Sequence, residues 1–153
     1  MEIERKFLVD SLPCLRDYPS KKIVQAYISV DPVIRIRQIN NKHFLTVKSQ
    51  GHIMREEFDM PITEKQFISL KTKVEGYAIE KIRYFIPLEN NLTAELDIYE
   101  GTLSGLCTVE VEFPSLENAN HFIPPTWFGI DVSTDYRYKN NHLAHHGMPN
   151  SNG

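Results

Sequence analysis

Eight acidic residues (Glu2, Glu4, Glu57, Asp59, Glu95, Asp97, Glu110, Glu112) and seven basic ones (Lys6, Arg35, Arg37, Lys48, Arg55, Lys81, Arg83) recur at alternate positions, mostly as i, i+2 pairs. On an extended strand such a pair points to one side, with Cα atoms about 6.5–7 Å apart. Two carboxylates held that way can share one hard divalent cation or flank two. Carboxylate oxygens with retained water suit Mg²⁺ or Mn²⁺. Two cationic side chains held that way bind successive anionic groups, and arginine does so bidentately on phosphate. Metal-holding acids beside anion-holding bases are the parts that metal-assisted phosphoryl transfer requires.

Strands must position these residues. Period-2 alternation runs through residues 2–9, 22–30, 33–38, 43–49, 53–60, 78–86, 93–99 and 106–113, which predicts eight strands. Asn40-Asn41, between the third and fourth, is a hairpin signal. Thr63 to Lys73 predicts a helix, opened by the capping-box pair Thr63 and Gln66. Ser115 to Phe122 predicts a second, with Ser115 as N-cap, and Asp135 to Ala144 is a candidate third. The expected class is mainly β with flanking helices (α+β). An open sheet with one solvated face shows the same alternation. A closed eight-stranded antiparallel barrel turns the charges inward, and about eight strands leave room for one small ligand. The apolar faces then point outward and need the helices, or a second copy in a homodimer, to cover them.

The 153 residues, 41% hydrophobic and 24% charged, suit one folded domain. Residues 1–144 are read as that domain and 145–153 as a polar tail. A net charge of −3 gives no nucleic-acid signature. The uncharged stretch from His121 to Ile130 is too short and Pro-rich to span a bilayer, so no membrane partner is expected. Glu2 and Glu4 stand where a secretory leader would be basic, and two cysteines make no disulfide framework. The expectation is a cytoplasmic protein.

Glu2-x-Glu4-x-Lys6 resembles the ExExK signature of the CYTH superfamily, the triphosphate tunnel metalloenzymes. The resemblance continues through Gln25-x-Tyr27, Arg35-Ile36-Arg37, Thr46-Val47-Lys48, Arg55-Glu56-Glu57, Glu80-Lys81-x-Arg83-Tyr84, Glu95-Leu96-Asp97 and Val109-Glu110-Val111-Glu112-Phe113. The stretches 122–129 and 136–140 look like the short bacterial members. The resemblance implies an eight-stranded tunnel that binds a small-molecule triphosphate and needs Mg²⁺ or Mn²⁺, one or two ions. It implies Lys6, Arg35, Arg37, Lys48, Arg55 and Arg83 as triphosphate ligands. It implies Glu2, Glu4, Glu110 and Glu112 as metal carboxylates, with Glu57 and Asp97 serving a second metal or its water. Lys81 with Lys48 resembles a water-activating lysine dyad, and Tyr27 stands where the family places a tyrosine near the reacting phosphate. Ala26 and Asp131-Val132-Ser133 depart from the family's Gln-Gly-Tyr and Glu-Val-Thr elements.

The expected activity is hydrolysis of inorganic triphosphate, extending to nucleoside triphosphates. A class IV-type adenylyl cyclase is the rival enzyme, separated by its products from ATP. A polyphosphate-binding module without turnover is the rival non-enzyme, although a pure anion binder would gain affinity by losing the acids. His142, His145 and His146 read as solvated, Trp127 as a packing anchor, and Arg5 and Glu56 as exterior residues in surface ion pairs.

Overall fold

The computed structural model describes residues 1–49 and 51–149. Among the described residues, alternating β-branched and aromatic residues build ten strands. These are β1 (Glu2–Val9), β2 (Ser20–Val30), β3 (Val33–Ile39), β4 (Lys42–Lys48), β5 (Met54–Arg55), β6 (Glu57–Ile62), β7 (Glu75–Pro87), β8 (Thr93–Tyr99), β9 (Cys107–Glu112) and β10 (Phe128–Asp131). Three α-helices among the described residues flank them: α1 (Glu64–Lys71), α2 (Leu116–His121) and α3 (Asn140–His146). All the strand pairings are antiparallel, in the order β10-β1-β9-β8-β7-β2-β3-β4-β6. Strand β5 pairs back onto β1, so the nine-strand path curls into a nearly closed barrel.

Two details differ from the expected eight strands. The stretch 53–60 divides at Glu56, because Met54 and Arg55 pair with β1 while Glu57 to Ile62 pair with β4. One backbone segment thus serves two neighbours. Ser49 holds the changeover, donating its N–H to Glu56 O at 3.0 Å and accepting Glu56 N–H on Oγ at 2.8 Å. Strand β10 is additional. It is four residues long and contains Gly129, whose bare Cα lets it pass Leu8 O, which a Cβ would meet at 3.2 Å.

The turn and cap signals act as expected. Asn40 adopts φ +52° in the two-residue hairpin turn. Thr63 and Gln66 form both halves of the capping box. The candidate helix from Asp135 is interrupted: Tyr136–Tyr138 form a single 3-10 turn, Lys139 is extended with ψ 138°, and α3 follows. It runs to His146, so the supposed polar tail begins inside a helix, while residues 150–153 lie outside the described residues.

The apolar faces point outward and are covered over much of the barrel, while Met54, Phe58 and Met60 of β5 and β6 stay exposed. Phe7, Leu96, Val109 and Val111 on β1, β8 and β9 pack with Ala119 of α2, with Phe113 and with Phe122 and Trp127 against them. Ala26 and Ile36 pack under Phe67 of α1. Leu143 and Ala144 of α3 pack instead on the inward-facing side, against Tyr27, Ile79 and Tyr99, which share a face with the cavity residues Arg35, Arg83 and Glu95. Arg5 sits on the exterior, paired with Asp131 at 2.8 Å and donating to Ala119 O, so it ties β1 to β10 and α2. For Glu56 the expected ion pair is not seen among the described residues, where its backbone bonds Ser49. Cys14 and Cys107 are free thiols. Among the described residues no helix is long and apolar enough to cross a membrane.

Candidate active site

The inward face of the barrel encloses a cavity of about 250 Å³. Strands β1 and β9 build its acidic wall. Glu4 stands opposite Glu112, and Lys6 opposite Glu110, in the β1–β9 register. Glu2, Glu4, Glu110 and Glu112 all line the cavity, with Glu57 and Glu95 beside them. Burial, then the charges of Glu110 and Glu2, push the Glu4 carboxyl up to about 8. Burial also raises Glu57, to about 7, with a hydrogen bond to Glu2 adding to it. Glu2 goes the other way. Burial would raise it, but the Glu57 hydrogen bond and the charges of Lys48 and Arg55 bring it down to about 2. Burial opposes ionisation of Glu110 as well, yet Lys6, Arg83 and Lys81 hold it far below the usual carboxylate range.

The basic residues divide into paired and unpaired. Arg55 donates from Nε to Glu2 and from Nη2 to Glu4, both at 3.1 Å. Lys48 Nζ lies 3.1 Å from Glu2. Arg83 is fixed by two bonds to Asp97, at 2.8 and 2.9 Å, and a 2.8 Å contact with Glu95. Lys6 Nζ donates to Tyr138 O at 2.5 Å and lies 3.5 Å from Glu110. Arg35 and Arg37 are different. Both line the cavity, each has a buried Nε without a hydrogen-bond partner, and neither has an ion pair with a carboxylate among the described residues. Burial, with Arg35 and Arg83 nearby, lowers the Arg37 guanidinium to about 10. Such a pair is short of an anion.

Behind this wall lie residues the cavity does not touch. Lys81 and Asp97 are fully buried, with Lys81 Nζ 2.8 Å from Asp97 Oδ2 and 5.4 Å from the Tyr99 ring centre. Burial lowers the Lys81 ammonium to about 8. Lys81 on β7 is separated from Lys48 on β4 by β2 and β3, and the two lysines have different acidic partners. Burial, with Arg35 and Arg55, also lowers Lys48, which does face the cavity. Tyr27 reaches the cavity, and its hydroxyl accepts from Gln25 Nε2 at 3.1 Å.

Sequence reasoning missed the segment from Ser133 to Asn141. It crosses the cavity mouth, where Tyr138, Lys139 and Asn140 line the wall. Lys139 Nζ donates to Gly51 O at 2.5 Å, and Asn140 Oδ1 accepts from the Tyr99 hydroxyl at 2.9 Å. The sequence marks residues 135–144 only as a candidate helix and 136–140 only as part of the resemblance, with no role at the site. The histidines pack together outside: His142 and His146 rings are 4.3 Å apart, and His145 contacts Glu75. Among the described residues no three His, Cys, Asp or Glu side chains converge on one point. The mutually repelling Glu4, Glu110 and Glu2 fit a divalent cation.

The profile of the CYTH domain matches residues 1–121. An inorganic triphosphatase of Nitrosomonas europaea is 42% identical over 146 residues, covering 94% of this chain and 96% of that protein. Another, from Acetivibrio thermocellus, is 36% identical over 148 residues, covering 94% and 92%. The crystal structure of an inorganic triphosphatase superposes with a TM-score of 0.72 at 40% identity, covering 98% of this chain and 97% of the other. A Pyrococcus horikoshii structure, at 23% identity, TM-score 0.61 and 78% and 82% coverage, shares the fold.

Proposed function

The chain belongs to the CYTH family, and from that premise we propose that it hydrolyses inorganic triphosphate with Mg²⁺ or Mn²⁺ bound. The observation that carries this reading is the pair Arg35 and Arg37, which line the cavity with no direct carboxylate ion pair among the described residues. A cavity of about 250 Å³ is below the roughly 300–1,000 Å³ that holds drug-sized ligands, which favours a compact polyanion over a whole nucleotide.

Arg35, Arg37, Arg83, Lys6 and Arg55 would grip the phosphate chain and hold the terminal group in line with the attacking water. The water oxygen bonds to the terminal phosphorus, the bond from that phosphorus to its bridging oxygen breaks, and pyrophosphate leaves with the electron pair. Lys48 faces the cavity beside Glu2, and we assign it the water's proton, which it would take in its neutral form. Lys81, enclosed behind the wall, supports Asp97, and Asp97 holds Arg83 in place. Asp97 is therefore proposed as an anchor rather than as a metal ligand. Glu2, Glu4, Glu110 and Glu112 would hold the metal, with Glu57 beside them. The cation's chemistry there is to neutralise charge on the phosphate chain. Tyr27 would hydrogen-bond a phosphate oxygen.

The test is a substrate panel of inorganic triphosphate, ATP and thiamine triphosphate, each with Mg²⁺ and with Mn²⁺. Release of phosphate and pyrophosphate from inorganic triphosphate at the highest kcat/KM is expected. Cyclic AMP and pyrophosphate from ATP would establish the cyclase instead. Tight binding without turnover would leave a binding module.

A further inference from the structure

Four residues on adjacent strands lie in one row across the barrel: Tyr27 on β2 opposite Arg35 on β3, Arg35 opposite Thr46 on β4, and Thr46 opposite Asp59 on β6. Arg35 Nη2 donates to Thr46 Oγ1 at 3.2 Å, and Thr46 Oγ1 donates to Asp59 Oδ1 at 2.5 Å. The directions are fixed by chemistry. A guanidinium can only donate, a carboxylate can only accept, and a hydroxyl carries one proton and can do both. Thr46 is fully buried, whereas Asp59 lies on the exposed strand β6.

The arrangement answers a problem that any anion site has. An arginine waiting for phosphate in a buried cavity must be held in one rotamer and compensated electrically. A carboxylate paired directly with it would do both, but would occupy the donors that the substrate needs. Here the negative charge is kept one side chain away. The hydroxyl relays it to one nitrogen of Arg35, whose side chain lines the cavity without a direct carboxylate partner among the described residues. Arg83, by contrast, is gripped directly by Asp97.

We propose that Thr46 and Asp59 are positioning residues that orient Arg35 for the terminal phosphates through a hydroxyl relay. This rests on the triphosphatase reading for its kinetic consequence, though not for its structural one. Thr46→Val keeps the shape and removes the hydroxyl, and Thr46→Ser restores it. Asp59→Asn removes the charge, and being exposed it leaves no buried group unpaired.

The expected kinetic result is a KM for inorganic triphosphate roughly 10-fold higher in Thr46→Val and in Asp59→Asn, at the low end for a hydrogen bond to a charged group. The kcat should change less. Thr46→Ser should return to within about 2-fold of the parent, and the double variant Thr46→Val/Asp59→Asn should be no worse than Thr46→Val alone. The second measurement needs no substrate. The Arg35 Nε–Hε signal in ¹⁵N-edited NMR of the full chain should be sharp in the parent and in Thr46→Ser. It should be broadened or averaged in Thr46→Val and Asp59→Asn. Unchanged Arg35 signals in both variants would overturn the proposal, whatever the kinetics. Absence of triphosphate turnover in the parent, with the signals changing as expected, would sink the functional reading and leave the relay standing.

Discussion

Arg35 and Arg37 lie in the same cavity as Arg55 and Arg83 but lack their acidic partners, and that difference sets what each substitution should do. Arg35→Ala or Arg37→Ala removes a ligand without breaking a direct ion pair, although Arg35→Ala also removes a donor to Thr46. Each should lower kcat/KM for inorganic triphosphate roughly 10- to 150-fold while leaving the unfolding midpoint nearly unmoved. Wild-type kinetics in both would mean that these side chains do not meet the substrate. Lys81 answers to pH instead. It is charged in both the folded and the unfolded chain below its lowered value of about 8, so the penalty of burying it is fully present there. Between that value and its ordinary 10.5 the unfolded chain holds a proton that the folded one has lost, and stability therefore rises with pH through this window. Urea midpoints at pH 7.5 and pH 10 should show this gain in the parent and a smaller one in Lys81→Met. An identical response in the two proteins would refute the assignment. Alternation alone places Lys81 on the same face as Arg83. It does not reveal that Lys81 is sealed behind Asp97, because which inward residues meet solvent depends on how the strands tilt and close.

The elements were legible wherever one period governed them. Strands β1 and β8 have the expected bounds, and Thr63 and Asn40 do what their chemistry allows. The division at Glu56 was not legible, since alternation continues through a strand that changes partners. Nor was β10, whose four residues carry too little pattern. Packing of α3 on β7 was equally hidden, although one residue makes it possible. Gly76, at φ +70°, lies where a Cβ would meet Ala144 O of α3 at 2.6 Å. Gly76→Ala should push α3 away, disturbing Asn140 at the cavity wall. It should lower Tm by several degrees and raise KM for inorganic triphosphate. Gly105→Ala is the control, since its φ of +100° carries backbone strain but nothing lies within 4 Å of the added Cβ. That variant should lose about 1–2 kcal/mol of stability, a few degrees in Tm, with KM unchanged. Equal KM effects in the two would remove α3 from the account of the site.

At the scale of the molecule, opposite charges face one another across a barrel interior, while the net charge of −3 gives no hint of it. The acidic wall is under mutual repulsion, so a bound divalent cation should stabilise the whole fold. At a concentration 100 times its Kd the gain is about 2.7 kcal/mol. Thermal unfolding with Mg²⁺ or Mn²⁺ should show a higher Tm than with a chelator, and Glu4→Gln should abolish the difference. A metal-independent Tm in the parent would count against the carboxylate assignment. The ring is also unequally fastened. Most neighbouring strands share five or more paired positions, but β5 meets β1 only at Glu2 with Arg55 and Ile3 with Met54, helped by Glu4 N–H donating to Ile53 O. This short seam is where the barrel should unzip first, so its amide protons should trade for deuterium well before those of β3 and β4. Because Arg55 and Glu2 belong both to the seam and to the cavity, inorganic triphosphate with Mg²⁺ should slow exchange at Met54 and Arg55 most, which makes the clasp of the ring a reporter of its occupancy.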